Sequence, residues 1–277
     1  MRLTHFFCFI LLFPFALSFR SLKKSENVIR SLTKLNIVNE DVGMSTFAFG
    51  ASTAWIKIWT TLAKKGLIDP KLSRKIIHTG SAPLFMCLWP FYSNSDDAKY
   101  IAAIVPLAQL CRLLYAGLNT NNTNNNKIET NELVGAISRS GDQKEALGGP
   151  LIYTIVLVIA TSIFFKSSPI GIVAITQMAI GDGVADIFGR KFGKVKWPFS
   201  KSKSYIGTLA FITFAFTVSV GMLSLFTFTG SLDIDVMNKL PQILLISVLC
   251  ALIELIPVGD DNITVPIVAG IATKAWL

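Results

Sequence analysis

Long apolar segments alternate with short polar segments along most of the chain. A helix needs about 20 apolar residues to cross a bilayer, and most of these segments approach that length, whereas the fifth and the eighth are short or interrupted. The predicted spans are Thr46–Leu62, Ile76–Tyr92, Tyr100–Leu118, Gly149–Phe165, Pro169–Ile187, Tyr205–Phe228, Pro241–Ile256 and Ile263–Leu277. The pattern therefore predicts an all-α, polytopic transmembrane helix bundle of about seven or eight spans.

Lys and Arg are distributed unevenly between the segments that connect these spans. One set of connections, which we call the basic face, consists of residues 63–75, 119–148, 188–204 and 257–262. The other set, the opposite face, consists of residues 93–99, 166–168 and 229–240. The basic face holds about fourteen Lys and Arg residues and the opposite face about three; such an excess marks the cytosol-like side of a membrane protein. The basic face is therefore predicted to be that side.

Composition agrees with a membrane protein, because 52% of the residues are hydrophobic, 16% are charged and the mean hydropathy is +0.55. These values exclude an ordinary soluble domain. The formal net charge of +9 is spread over the connections rather than gathered in one patch, which argues against nucleic acid as a partner. The four cysteines lack CxxC spacing and the chain has two histidines, so neither a disulfide framework nor a multi-histidine metal site is expected.

The N-terminus has the composition of a targeting sequence. Arg2 precedes the apolar run His5–Leu17, which has the length of a secretory signal, and Arg20–Lys34 is rich in Ser, Lys, Arg and Asn, as transit peptides are. This order resembles the bipartite presequence of algae with complex plastids and predicts a plastid membrane. A plain secretory signal or a first membrane anchor is the alternative. The predicted organisation is a presequence at 1–40 and a membrane-embedded domain at 41–277.

The most informative polar motif is Gly181–Gly193, with the sequence GDGVADIFGRKFG, at the end of the fifth span. An ionised carboxylate in hydrocarbon costs about 3 kcal/mol or more, so acidic residues in such segments usually have a function. Asp182 and Asp186 are four residues apart and share one face of a helix. Carboxylates beside cations suit a Mg²⁺–nucleotide ligand, and glycines let the backbone approach it closely. The residues with these properties are Asp182, Asp186, Gly181, Gly183, Gly189, Gly193, Arg190 and Lys191.

Two further motifs on the basic face carry cations at the start of a span. Arg74 and His78 share a helix face at the mouth of the second span, next to Lys75, and indicate a phosphate or general-base site. Lys201 and Lys203 precede the sixth span, where the free N–H groups of a helix N-terminus favour an anion. The alternative for both motifs is that the cations only anchor the spans and that His78 is an ordinary interior residue.

Acidic residues recur on the basic face near the C-terminus. Glu254 ends the seventh span, and Asp260 and Asp261 follow in the next connection. These carboxylates return toward the face that carries Asp182 and Asp186, so they are candidates for contact with a metal or with a substrate hydroxyl. Carboxylates that are merely solvated at the bilayer boundary are the alternative.

Five segments resemble the polyprenol kinase family, and most closely its phytol kinase and farnesol kinase branch. They are residues 72–85, 148–156, 168–193, 203–212 and 254–267, in the order found in that family. The resemblance implies transfer of a phosphoryl group from the nucleoside triphosphate CTP, with Mg²⁺ as cofactor, to the terminal hydroxyl of an isoprenoid alcohol in a lipid bilayer. Because a plastid presequence is predicted, phytol is the favoured alcohol and phytyl monophosphate the expected product.

The resemblance also implies roles for individual residues. Asp182 and Asp186 hold Mg²⁺ on the triphosphate, and His78 or Asp261 accepts the proton of the alcohol. The remaining site residues bind the nucleotide and its phosphates, and they are Gly181, Gly183, Gly189, Arg190, Lys191, Gly193, Lys201, Lys203, Arg74 and Lys75.

Three other functions are compatible with the sequence. A farnesol or geranylgeraniol kinase needs the same site with a different alcohol. A cytidylyltransferase that forms a CDP-lipid also needs Mg²⁺, CTP and paired acidic residues. A transporter is the third alternative, because Arg112 and Glu254 lie within predicted spans.

Overall fold

The computed structural model describes residues 37–118, 143–256 and 259–277. In these ranges the chain forms eight helices, and they are α1 (Ile37–Lys64), α2 (Pro70–Met86), α3 (Ala98–Leu118), α4 (Gly149–Ile163), α5 (Pro169–Phe192), α6 (Tyr205–Phe228), α7 (Leu240–Leu255) and α8 (Asp261–Trp276). Short 3-10 turns occupy Trp89–Phe91, Gln143–Leu147 and Phe165–Ser167. The predicted all-α bundle is confirmed, and each predicted span corresponds to one helix.

The chain divides into two compact units, Met1–Glu40 and Asp41–Leu277. In the first unit only the start of α1 is described, so the predicted presequence at 1–40 lies almost wholly outside the described residues and stays a prediction. Most of the connection at 119–148 also lies outside them. The second unit contains every helix that contributes to the site described below.

Four helices begin on the basic face, namely α2, α4, α6 and α8. Asp69 caps α2, Ser204 caps α6 and Asp260 caps α8, and each side chain accepts a hydrogen bond from a backbone N–H of the first turn. Pro70 fits the first turn of α2, where its missing N–H would have no partner within the helix. The positive ends of four helix dipoles therefore lie on the basic face.

Helix α5 is the central helix of the bundle. In its most apolar stretch 78% of the residues are buried, against 39% in α3 and 44% in α6. The side chains of Ile172, Ile175, Met178 and Ile180 are fully buried, and α5 packs against α2, α4, α6, α7 and α8. The Gly181–Gly193 motif is therefore held inside the protein by neighbours on most sides.

Three of the described helices, α3, α5 and α6, are long and apolar enough to cross a membrane, and α4 and α7 are shorter apolar helices. Large apolar side chains on α3 point outward, among them Ile104, Leu107 and Leu118. Such side chains are unfavourable in water but favourable against lipid tails. The protein is an all-α membrane bundle.

A π-helical turn, Gln177–Asp182, interrupts α5. Such turns insert a residue into the helix and often occur at functional sites. Gln177 is fully buried and donates hydrogen bonds to Ser219 Oγ at 3.1 Å and to Ser247 Oγ at 2.9 Å, which ties α5 to α6 and α7. Because the turn ends at Asp182, it helps to set the direction in which this carboxylate points.

A buried polar cluster joins the elements of the opposite face. Lys166, in the turn between α4 and α5, donates a hydrogen bond to the backbone carbonyl of Tyr92 at 2.6 Å. Asp41 of α1 accepts hydrogen bonds from the N–H and the hydroxyl of Ser93 at 2.7 and 2.6 Å. Burial lowers the pKa of Lys166 to about 8, although the Asp41 carboxylate offsets part of this effect. These contacts hold α1 and the connections after α2 and α4 together at this end.

Candidate active site

Lys75 of α2 lies between the two aspartates of the Gly181–Gly193 motif. Its Nζ is 3.4 Å from Asp182 Oδ2 and 3.4 Å from Asp186 Oδ2. Arg190, one turn after Asp186 in α5, also pairs with Asp186 through its Nε at 2.7 Å. The structure thus brings both predicted aspartates together with two of the predicted phosphate-binding cations.

Glycines of this motif make room for neighbouring helices. An added Cβ at Gly181 would overlap the Phe211 ring of α6, and an added Cβ at Gly183 would overlap Thr79 Oγ1 of α2. Small residues let helices of a membrane bundle approach closely. The close contact at Gly183 is what brings α2, and with it Lys75, near the aspartates of α5.

The other residues of the predicted nucleotide site lie around the edge of this cluster. Gly189 and Gly193 face Ser204, the cap of α6. Lys191 and Lys201 are exposed and do not line the cavity described below. Their contact with phosphates, and the approach of the glycine backbone to a phosphate, stay predictions.

His78 lies beside Asp182 and is held by a tyrosine. The distance from His78 Nε2 to Asp182 Oδ2 is 3.5 Å. The ring of Tyr153, from α4, packs against the imidazole with 4.3 Å between ring centres and a tilt of 42°. Tyr153 also donates a hydrogen bond from its hydroxyl to the backbone carbonyl of His78 at 2.9 Å. The ring and backbone of His78 are thus both fixed by α4.

A second ionic cluster lies on the other side of Asp182. Lys203, just before α6, forms ion pairs with Glu254 of α7 and with Asp261 of α8, the latter at 3.0 Å. Burial of Lys203 opposes its charge, but these two carboxylates outweigh that effect and hold the pKa of Lys203 above its usual range. Asp182, Glu254 and Asp261 each present an oxygen within 4.8 Å of the others. Oxygens at this spacing are able to share one divalent cation.

Lys75, His78, Asp182 and Asp261 border a cavity of about 460 Å³. It is enclosed by α1, α2, α3, α4, α5 and the start of α8. Its mouth is charged or polar, and its lining there includes Arg74, Lys75, His78, Asp182 and Asp261. Deeper in the bundle the lining is mainly apolar and includes Ile56, Phe85, Val105, Leu113 and Leu157. A volume of this size lies within the range of pockets that hold small organic ligands.

Buried polar atoms without a partner border the same cavity. His78 Nε2, Gln109 Nε2 and Asn262 Oδ1 are buried and form no hydrogen bond with the described part of the chain. Buried polar groups are nearly always hydrogen-bonded in folded proteins. The atoms of His78 and Asn262 lie at the mouth, where polar groups of a ligand would pair with them, whereas Gln109 lies deeper, one helical turn from Val105.

Curated relatives align with most of this chain. The chain is 34% identical over 250 residues to phytol kinase 1, chloroplastic, of Arabidopsis thaliana. The match covers 89% of this chain and 80% of that protein. It is 36% identical over 231 residues to probable phytol kinase 1, chloroplastic, of Glycine max, covering 82% and 74%. It is 33% identical over 249 residues to farnesol kinase, chloroplastic, of Arabidopsis thaliana, covering 87% and 78%. The chain belongs to the phytol kinase and farnesol kinase branch of the polyprenol kinase family.

This membership confirms the resemblance that the sequence motifs carry. No family model and no solved structure matches the chain. Of the four residues predicted to be catalytic, Asp182 and Asp186 contact Lys75, His78 contacts Asp182, and Asp261 joins Asp182 through the acidic cluster.

Two residues that border the cavity are not singled out by the sequence. Tyr153 lies within the resembling segment 148–156, but its residue type gave no reason to assign it a role. Gln109 lies outside the resembling segments, in a mainly apolar run, so no motif marks it. Glu254, by contrast, is marked in the sequence by its position inside an apolar run.

Proposed function

We propose that this protein is a phytol kinase that uses CTP as donor and releases phytyl monophosphate and CDP. The observation that carries the proposal is a cavity in which a charged mouth leads into an apolar interior. Such a cavity suits an alcohol whose hydroxyl must reach a nucleotide while its hydrocarbon chain stays away from water. The Arabidopsis thaliana and Glycine max relatives named as phytol kinases support this substrate.

Asp182, Glu254 and Asp261 are the metal ligands that we propose for Mg²⁺. Mg²⁺ prefers carboxylate oxygens, and beside a nucleotide it needs only one or two of them because phosphates and waters complete its shell. Mg²⁺ bound there would neutralise charge on the triphosphate. The pair predicted from the sequence, Asp182 and Asp186, shares one member with this set, whereas Asp186 pairs with two cations.

Cations at the mouth are placed to bind the phosphates. Arg74 and Lys75 line the cavity, and Lys203 lies at the start of α6 beside the acidic cluster. The N-termini of α2, α4, α6 and α8 add positive dipole ends on the same face. Phosphoryl transfer depends mainly on positioning the reactants and on stabilising the charge of the phosphates. The cations and helix N-termini at the mouth are suited to both tasks.

His78 is the residue that we propose as proton acceptor for the alcohol. Its Nε2 lies 3.5 Å from Asp182 Oδ2 but forms no hydrogen bond among the described residues, whereas Asp261, the other candidate, is ion-paired with Lys203. Tyr153 and Asp182 hold the imidazole from two sides. An imidazole at the cavity mouth is able to take the hydroxyl proton as the oxygen attacks the phosphorus.

The protein works in a membrane, and we infer that this is a plastid membrane. Three described helices are long and apolar enough to cross a bilayer. The relatives are named chloroplastic, and the predicted presequence at 1–40 agrees with that location.

Farnesol or geranylgeraniol is the second candidate substrate. The farnesol kinase of Arabidopsis thaliana is 33% identical to this chain and the phytol kinase of the same species is 34% identical, so identity does not separate the two alcohols. The relatives are kinases, which favours phosphoryl transfer over the formation of a CDP-lipid.

The proposal is tested by supplying membranes that contain the protein with CTP labelled at the γ-phosphate. We expect label in phytyl monophosphate, release of unlabelled CDP, and loss of both products when EDTA removes divalent cations. Parallel assays with farnesol, geranylgeraniol and dolichol establish the preferred alcohol. Label released as pyrophosphate would show a cytidylyltransferase instead.

A further inference from the structure

The cavity lining changes from polar to apolar along α2. Arg74, His78, Ser81 and Phe85 all line the cavity and are spaced three or four residues apart, so they form one stripe along the helix. With a rise of 1.5 Å per residue, the stripe is about 16 Å long from Arg74 to Phe85. The cavity therefore reaches roughly three helical turns inward from its charged mouth.

The helices α4 and α3 show where the inner end of the cavity lies. In α4, Gly149 faces the start of α8 at the mouth, Tyr153 packs against His78, and Leu157 is the deepest lining residue. Helix α3 runs toward the basic face, so Val105 is deeper in the bundle than Leu113. Phe85, Val105 and Leu157 therefore mark the same end of the cavity.

The residues at this inner end are buried and packed against aromatic side chains. Phe85, Val105 and Leu157 are 5%, 4% and 7% exposed. The ring of Phe85 packs edge-to-face on Trp89, with 5.9 Å between ring centres, and Trp89 is itself fully buried against Phe226. Aromatic clusters of this kind pack tightly and leave little room for movement.

We propose that the part of the cavity inward of His78, whose lining is mainly apolar but includes Ser81, Gln109 and Thr154, binds the isoprenoid chain. We call this part the apolar arm. Its end wall of Phe85, Val105 and Leu157 limits the length of the alcohol. The inference rests on the proposed function, since it assigns a specificity to the same site. A chain that is too long for the apolar arm withdraws its hydroxyl from His78 and the mouth, and small displacements of reacting atoms strongly reduce turnover.

The test shortens the apolar arm by the substitution Val105→Phe and measures kcat/KM with CTP for geraniol, farnesol and phytol. We expect activity with phytol to fall by about tenfold or more relative to geraniol, because single methylene differences in apolar pockets change kcat/KM by about 10- to 200-fold. Leu107→Phe is the matched control, since Leu107 lies on the same helix but is 45% exposed and does not line the cavity. Leu107→Phe should leave the order of kcat/KM among the three alcohols unchanged.

A uniform loss for all three alcohols in well-folded Val105→Phe protein, or the same change in the Leu107→Phe control, would overturn the proposal. A second measurement on the unmodified protein does not depend on the variant folding. A farnesol analogue with a diazirine at its tail should crosslink to the inner lining of α2, α3 or α4, and crosslinks confined to outward residues such as Ile104 would overturn it as well. Failure of the proposed function gives a different result, namely no phosphoryl transfer to any alcohol by unmodified protein.

Discussion

Glu254 carries a charge in the interior of the bundle, where it is 4% exposed, and the ammonium group of Lys203 balances it. A buried charge that loses its partner destabilises a protein strongly, so the charge on Glu254 depends on Lys203. Asp182 and Asp261 extend the pair to a cluster that borders the cavity mouth. At the scale of the residue, Glu254 is thus a stronger metal-ligand candidate than Asp186.

Substitution of single carboxylates by amides separates the two possible metal sites. We expect Asp182→Asn and Glu254→Gln to lower turnover by about 100-fold or more, comparable to the loss of one electrostatic stabiliser, and to raise the Mg²⁺ concentration needed for half-maximal activity. Asp186→Asn should lower turnover less and leave the Mg²⁺ requirement nearly unchanged. The measurement is phosphoryl transfer from labelled CTP over a series of Mg²⁺ concentrations.

Asp97→Asn serves as the control for these substitutions, because Asp97 is exposed on the opposite face. Its activity should equal that of unmodified protein. A larger shift in Mg²⁺ requirement for Asp186→Asn than for Glu254→Gln would move the metal to the pair predicted from the sequence.

At the scale of the helix, the packing of α2 on α5 depends on Gly183, which has no side chain. Gly183 lets Thr79 approach α5, and the same contact holds Lys75 and His78 at the aspartates. Steric fit between these two helices is therefore coupled to the geometry of the site.

Gly183→Ala should destabilise the protein by about 1–3 kcal/mol, the usual cost of overpacking, because the new Cβ would overlap Thr79 Oγ1. Thermal unfolding in detergent measures the change. Adding Thr79→Ala should restore part of the stability, since it removes the overlapping hydroxyl. Gly50→Ala is the control, because nothing lies within 4 Å of an added Cβ there, and it should leave stability unchanged or raise it. Equal melting temperatures for Gly183→Ala and unmodified protein would contradict this packing role.

Hydropathy predicts the helices well and their polar extensions poorly. The sixth predicted span, Tyr205–Phe228, agrees with α6 at both ends, whereas α5 continues beyond the predicted end at Ile187 to Phe192. In that last turn Arg190 pairs with Asp186 and Lys191 is exposed, and hydropathy takes no account of such partners or of exposure. The π turn in α5 is also absent from the sequence pattern, because it depends on the packing of neighbouring helices.

The candidate site, like the helices, is predictable from the sequence only in part. Spacing predicts that Asp182 and Asp186 share a helix face, and this proximity is correct, since both contact Lys75. The alternation of the spans predicts that the carboxylates near the C-terminus return to the face that carries Asp182, and Asp261 does approach Asp182. The sequence does not show how close the oxygens of Glu254 and Asp261 come to Asp182, because distances between helices depend on packing. Proximity within one helix was therefore predictable from spacing, and distances between helices required the fold.

At the scale of the whole molecule, the N-termini of α2, α4, α6 and α8 lie with the cavity mouth on the basic face. The buried cluster of Lys166 and Asp41 holds the opposite face together. The molecule therefore has one face for chemistry and one that is fixed by structural contacts.

Cysteine labelling tests this arrangement in a background that lacks the four native cysteines. Lys65→Cys and Lys196→Cys, both exposed on the basic face, should react with a membrane-impermeant maleimide from the same side. Asp233→Cys, exposed on the opposite face, should react only from the other side. Labelling of Lys65→Cys and Lys196→Cys from opposite sides would exclude the predicted topology.

The position of the cavity mouth has a consequence for the two leaflets of the bilayer. Arg74, Lys75 and Asp261 place the mouth at a single surface, so the proposed reaction forms its phosphate group at that surface. A phosphate monoester is charged near neutral pH, and moving a charge through hydrocarbon is very costly. The neutral alcohol is able to exchange between leaflets, but its phosphate stays in the leaflet where it is formed. An enzyme that uses this product must therefore have its own active site on the same side of the membrane.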